Sequence, residues 1–275
     1  MSAAESFDYR GHRVSYRSYG SGDRVLVLIH GLLMNRQMFA RLAPEMAARD
    51  NRVICVDLLG HGESDSPDDV NFYSMPAFGH QVAALLDHLG VERAVVGGTS
   101  LGANVSLEFA VAHPQRAMGL LIEMPVLDNA LVAVAFAFTP VLLASALGAM
   151  LLRPISRLTQ TIPRSHHLVD IGLDWLRRDP TSSANVMQGL LLGRTCPPKS
   201  ERQTITVPAL VVGHLSDPIH PFSDSDALVE ELADAQLLNA DSILEWRLNP
   251  GRLDEALAEF LDGVHPVGSD VAAAA

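Results

Sequence analysis

The stretch Val95-Val96-Gly97-Gly98-Thr99-Ser100-Leu101-Gly102-Ala103-Asn104 decides how this chain is read, because a buried strand leads into it and a helix leads out. Ser100 stands at the corner. Between Gly98 and Gly102 it fits the pattern G-x-S-x-G, whose small residues let a strand turn sharply into a helix. The serine of such a corner is held in a strained conformation with its hydroxyl exposed. The following helix carries Leu101, Val105, Phe109 and Ala112 on one face and meets Pro114 at its end. Its N-terminus offers free N–H groups and positive partial charge beside Ser100, as a developing oxyanion needs. By itself the pentapeptide fits equally a glycine-rich turn with a solvated serine.

Upstream, Phe7 to Tyr9 and His12 to Tyr19 read as antiparallel strands around Gly11. Arg24 to Ile29 is a continuous β-branched and leucine run, as in a strand buried on both faces, and Arg52 to Asp57 is the next such strand. Arg36 to Arg49 between them reads as helical, with Pro44 as its weak point. A turn-rich loop covers Gly60 to Pro67. Ser74 and Pro76 open a helix with Phe78, Val82, Leu85, Leu86 and Leu89 inward, and Gly90 closes it.

Downstream, Leu120 to Glu123 is a short strand, Val207 to Gly213 another, and His214 to Pro221 a loop. A helix over Phe222 to Ala233, a strand over Gln236 to Leu238 and a last helix capped at Asn249-Pro250 complete the pattern. That last helix turns Leu253, Leu257, Phe260 and Leu261 inward. Buried strands alternating with amphipathic helices imply βαβ units and a mostly parallel sheet, which binds ligands at the carboxyl ends of its strands. His30, Asp57, Ser100 and Glu123 all fall at such ends.

The alternation stops at Pro125. Ala130 to Leu152 has no charged residue and is long enough for a membrane span, but Thr139-Pro140 divides it and it interrupts a sheet. Two apolar cap helices over a cleft are expected, with no stable span and at most transient contact of the cap with lipid. Phe136, Phe138 and Met150 are expected to line that cleft. Arg153 to Ser200 reads as further short helices, with the adjacent His166 and His167 at solvent or the cap surface. One domain with an insertion results: residues 1–124 and 203–264 form the core, 125–202 the cap. The stretch from Gly263 onward looks unstructured, with the tail proper at 265–275.

The chain has 275 residues, 48% of them hydrophobic, enough for one large core. A net charge of -12 and a pI near 5.3 speak against nucleic acid and favour a small neutral or apolar ligand. Cys55 and Cys196 make no disulfide framework, so a reduced cytoplasmic setting is the default, and the polar start shows no secretory signal. No paired His or Cys ligands sit at metal-binding spacing, and no cofactor is expected.

Taken together, these motifs resemble the α/β-hydrolase fold family from about residue 7 to residue 262, in its serine-nucleophile, esterase- and lipase-like branch. The fold class implied is α/β, a mostly parallel central sheet flanked by helices with a helical cap insertion. His30-Gly31-Leu32 resembles the family's HG segment, and Gly60-His61-Gly62-Glu63-Ser64 the loop after the next strand in many small esterases, epoxide hydrolases and dehalogenases. Gly98 to Gly102 resembles the nucleophile elbow. The resemblance implies Ser100 as nucleophile, the Leu32 and Leu101 amides as oxyanion donors, and Asp217, in the loop after Val207 to Gly213, as catalytic acid. Where the family uses an aspartate nucleophile it opens epoxides or displaces halide; a serine implies acyl transfer instead.

One position departs from the family. A serine hydroxyl needs a base, usually a histidine, and the family carries it in the loop before the last helix. Asn239 to Leu248 contains none; the slot falls near Ser242 or Ile243. His220, three residues after Asp217, is the first choice as a substitute, with Asp217 or Glu123 as its acid. His30, His61, His113, His214 and His265 are weaker choices, as is Glu245 if burial raises its pKa. The leading expectation is hydrolysis of a carboxylic ester or thioester with an apolar group, through an acyl-enzyme on Ser100. The alternatives are a non-catalytic ligand-binding protein of the same fold, or a non-hydrolytic member such as a lyase or cofactor-free haloperoxidase.

Overall fold

The computed structural model describes residues 4–163, 170, 173–174 and 176–265. Eight strands follow in chain order: β1 (Glu5–Tyr9), β2 (His12–Tyr19), β3 (Val25–Ile29), β4 (Arg52–Val56), β5 (Ala94–Thr99), β6 (Ala117–Glu123), β7 (Ala209–His214) and β8 (Ala235–Ala240). They form one sheet in the order β1-β2-β4-β3-β5-β6-β7-β8. Only the β1–β2 and β2–β4 pairings are antiparallel; all others are parallel. The mostly parallel α/β sheet expected from the alternation is therefore present.

All five residues of β3 are buried because the sheet is covered on both faces. Alternate side chains enter opposite layers. Val27, Ile29, Ile54, Val96, Ile122 and Val211 pack with Phe78, Val82 and Leu85 of α2 (Met75–His88) and Phe109 of α3 (Leu101–Ala112). Leu26, Leu28, Val53, Val95, Leu121 and Val212 pack on the other side with α1 (Leu42–Ala47) and with Leu253, Leu257 and Leu261 of the C-terminal helix (Gly251–Val264).

Between β6 and β7 the chain builds α4 (Leu131–Leu147), α5 (Ala149–Gln160), α6 (Pro180–Leu192) and α7 (Lys199–Arg202). After β7 come α8 (Phe222–Glu231), α9 (Glu245–Leu248) and the C-terminal helix, α10. Caps place these boundaries: Ser74 Oγ accepts from Ala77 N–H at 3.2 Å at the start of α2, and the Asp179 side chain accepts from the Thr181 and Ser182 amides at the start of α6. Among the described residues no single helix is long and apolar enough to cross a membrane.

Four expectations change. Arg36 to Arg49 is not one helix: a 3-10 turn over Arg36–Phe39, capped by Asn35, precedes α1, and Pro44 sits in the first turn of α1, where a missing N–H costs nothing. The apolar run is not divided at Thr139-Pro140. The helix α4 continues through Pro140 and ends at Gly148, where the axis bends by 99° into α5. A Cβ at Gly148 would lie 2.6 Å from Ala144 O, the acceptor of the Gly148 N–H, so glycine suits this stop. The helix α3 has no single inward face: Leu101 through Ala110 are all buried, and Ala112 is exposed. The chain around residue 194 covers its far side, with Asn104 Nδ2 donating to Thr195 O and Arg194 pairing with the buried Glu108. Lastly, α10 runs through Gly263 and Val264, and His265 closes it by donating its N–H to Leu261 O. His166, His167 and residues 266–275 lie outside the described residues.

Candidate active site

Ser100 joins β5 to α3 with φ 55° and ψ -106°, a left-handed backbone that a side chain adopts only when its surroundings force it. Two glycines do the forcing. A Cβ on Gly98 or Gly102 would stand 2.1 or 2.0 Å from Ile29 O, so only glycine lets the corner close against β3. The corner is tied to the next strand as well, with Ser100 N–H donating to Glu123 O at 2.8 Å.

Asp217 and His220 lie in the loop after β7. Their closeness in sequence is no obstacle, because Asp217 Oδ1 accepts the amides of Ile219 (2.8 Å) and His220 (3.0 Å) and curls the loop into an Asx turn. That curl sets His220 Nδ1 2.8 Å from Asp217 Oδ2 and His220 Nε2 2.9 Å from Ser100 Oγ. Burial would raise the Asp217 pKa, but the His220 ring and the two amides outweigh it and hold the carboxyl below its ordinary value. An ionised Asp217 accepts only, so His220 Nδ1 carries the proton and Nε2 is free to accept the Ser100 hydroxyl.

The alternative acid is elsewhere. Glu123 ends β6 with its carboxylate held by Thr99 Oγ1, by Arg247 at 2.7 and 3.1 Å, and by His214 Nε2 at 3.3 Å. Burial pushes its pKa up, yet Arg247 and His214 bring it down to about 2. Glu123 is thus an ionised anchor bonded to Thr99, Arg247 and His214, while the His220 ring bonds Asp217. Arg247 comes from the segment where the family slot for histidine was expected.

Of the weaker base candidates, His30, His61, His113, His214 and Glu245 have other partners. His30 is fully buried; its Nε2 accepts from Leu58 N–H at 3.2 Å, which leaves Nδ1 to donate to Gly31 O at 2.9 Å. Burial lowers its pKa to about 4, so it stays neutral and ties the Gly31-Leu32 segment to the end of β4. His61 is likewise buried, its Nδ1 3.1 Å from Leu59 O and its ring tilted against that of His30 at 4.6 Å between centres, with its pKa lowered by burial. His113 pairs with His80 at 2.9 Å, and His214 with Glu123. Glu245 does not become a raised-pKa base: against burial, the Asp241 amide and Arg252 lower its pKa.

Ser100 opens into an apolar cavity of about 270 Å³. Leu32, Leu101, Met75, Val134, Phe138 and Met187 are among its walls, with Asn104, Thr139 and Thr195 as its few polar groups. Of the three side chains expected to line the cleft, only Phe138 does. Phe136 and Met150 are 86% and 80% exposed, because they sit on the outer side of the α4–α5 bend. One residue without a sequence signal also matters: the buried Asp224 of α8 accepts the amides of Leu127, Asn129 and Ala130 and so fixes where the insertion leaves the sheet. Among the described residues no group of His, Cys, Asp or Glu side chains could hold a metal ion.

A family model for the α/β hydrolase fold matches residues 24–238, and the chain belongs to that family. An uncharacterized protein of Mycobacterium tuberculosis is 40% identical over 105 residues, 38% of this chain and 30% of that protein. The pimeloyl-[acyl-carrier protein] methyl ester esterase of Aeromonas hydrophila is 38% identical over 108 residues, 39% of this chain and 40% of the esterase. The chain thus matches well under half the length of these relatives. Among solved structures, a thermophilic esterase from Thermogutta terrifontis superposes with a TM-score of 0.76 at 21% identity, covering 96% of this chain and 100% of the other. At that identity the likeness is one of fold.

Proposed function

We propose that this protein is a serine hydrolase that cleaves a carboxylic ester or thioester bearing an apolar group, through an acyl-enzyme on Ser100. The observation that carries the reading is the unbroken hydrogen-bond chain Asp217–His220–Ser100 at the wall of an apolar cavity. His220 Nε2 takes the Ser100 proton as Oγ attacks the carbonyl carbon, and returns it to the leaving alcohol or thiol. Asp217 fixes the ring tautomer and stabilises the imidazolium. The Leu32 and Leu101 amides receive the oxyanion of the tetrahedral intermediate, and water then repeats the sequence to release the acid. Residues 125–202 act as a cap over the acyl or alcohol group, and 1–124 with 203–264 as the body. The partial likeness to the Aeromonas esterase favours the same ester class.

The binding-only alternative drew its support from the empty histidine slot at Asn239 to Leu248. An imidazole 2.9 Å from Ser100 Oγ, arriving from the loop after β7, removes that support. Labelling by a fluorophosphonate tests the proposal: folded wild-type protein is expected to label, and Ser100→Ala is not. Unlabelled, correctly folded wild type would overturn it. Ester and thioester panels run beside perhydrolysis and cyanohydrin cleavage separate hydrolysis from the non-hydrolytic reactions.

A further inference from the structure

The outer side of α4 is apolar where a surface helix is ordinarily polar. Val132, Phe136, Leu143 and Leu147 follow one another at helical spacing and are 81%, 86%, 51% and 84% exposed. The bend at Gly148 then presents Leu147, Met150 and Leu151 together at its apex, the last two 80% and 73% exposed. Among the described residues nothing covers these side chains.

Charge says what does. From Asn129 to Val169 there is no aspartate or glutamate, in a chain whose net charge is -12, while Arg153 and Arg157 are exposed on α5. Arg153 bonds Thr181 and has a carboxylate, Asp179, only at 3.8 Å. An apolar stripe beside two exposed arginines, only one of them near a carboxylate among the described residues, matches the boundary of an anionic lipid bilayer, where apolar side chains enter the acyl region and arginines meet head groups. The 99° bend makes the pair lie along such a surface, since neither helix is a span. The apolar surface also leads inward: Leu131 and Leu191 line the Ser100 cavity and are themselves exposed.

We propose that the α4–α5 bend docks on the surface of an anionic lipid bilayer, apex first, with the mouth of the Ser100 cavity turned toward the lipid. The docking itself does not depend on the hydrolase reading. Its test is flotation of the full chain with vesicles of phosphatidylcholine alone or of equimolar phosphatidylcholine and phosphatidylglycerol, using Ser100→Ala to exclude turnover. The protein is expected to float with the anionic vesicles, roughly thirtyfold more tightly than with neutral ones if two arginines act. Changing Leu147, Met150 and Leu151 to serine is expected to weaken this by more than about a hundredfold. The same triple change in a chain that retains Ser100 is expected to leave hydrolysis of a soluble short-chain ester unchanged, which reports an intact fold. Arg153→Glu with Arg157→Glu is expected to abolish the preference for anionic vesicles. Failure of the protein to float with either vesicle, or unchanged flotation of the apex variant, overturns the proposal. So does light scattering that shows a dimer split by the apex variant, which would assign the face to a second copy.

Discussion

The loop after β7 and the loop after β8 are neighbours at the carboxyl edge of the sheet, joined where Leu215 N–H donates to Ala240 O, yet they carry opposite kinds of chemistry. The first presents Asp217 and His220 to Ser100 from the open side. The second, where the family resemblance places a histidine, sends Arg247 behind the corner to a buried carboxylate. The comparison teaches that an imidazole can come within hydrogen-bonding reach of the Ser100 hydroxyl from the loop after β7, without a histidine in the loop after β8. The slot left without histidine has become a brace.

The largest effect expected from this comparison is on turnover. Losing His220 should lower kcat/KM by about 10⁴-fold or more, and Asp217→Asn by roughly 10³- to 10⁴-fold through loss of the tautomer. His265→Ala should stay near wild type. Steady-state kinetics on one soluble ester compares all three, and equal residual activity in the His220 and His265 variants would move the base elsewhere.

A smaller effect, on stability, sharpens the other side. Arg247→Met leaves the buried Glu123 carboxylate without its guanidinium and with only Thr99 and His214 beside it, which should cost about 3 kcal/mol in chemical denaturation, the low end for breaking a buried pair, while kcat/KM of the folded fraction stays within roughly tenfold. Adding Glu123→Gln should recover part of the loss. A turnover defect as large as that of His220→Ala would make the second loop part of the chemistry and break the contrast.

The smallest effect comes from pH. His30 is neutral in the folded state down to about 4 and titrates from 6.5 when unfolded, so the unfolded chain takes up a proton that the folded one refuses. Its contribution is therefore complete above pH 6.5 and lost as pH falls toward 4, on the order of 3 kcal/mol in all. His214 works in the other sense. Burial lowers its pKa, but Glu123 raises it more, so its contribution is complete below the ordinary histidine value and fades as pH rises through the folded one. Urea denaturation across pH 4.5 to 8.5, with His30→Gln and His214→Gln, should flatten the acid and alkaline limbs respectively.

Much of the fold was legible because it rests on local pattern. The β-branched runs at Val25–Ile29 and Arg52–Val56, the Ser74-Pro76 helix start and the glycines around Ser100 state their geometry in a few residues each. The insertion was less legible, since a run apolar all round says nothing about which side faces a cavity and which faces out. Phe138 and Phe136 are two residues apart in the same composition, and only the packing of α4 separates one as cavity wall from the other as surface.

The sequence by itself determined the sheet, the corner and the serine, because periodicity and glycine placement act over short stretches of chain. The sequence placed His220 first among several imidazoles, with Asp217 or Glu123 as its acid; tertiary structure decided that it meets that serine, 120 residues away, and that Glu123 turns to Arg247, 124 residues on, and His214 instead. Contacts of such separation are fixed by how strand ends are brought together in the sheet, so local signals can rank the candidates without choosing between them.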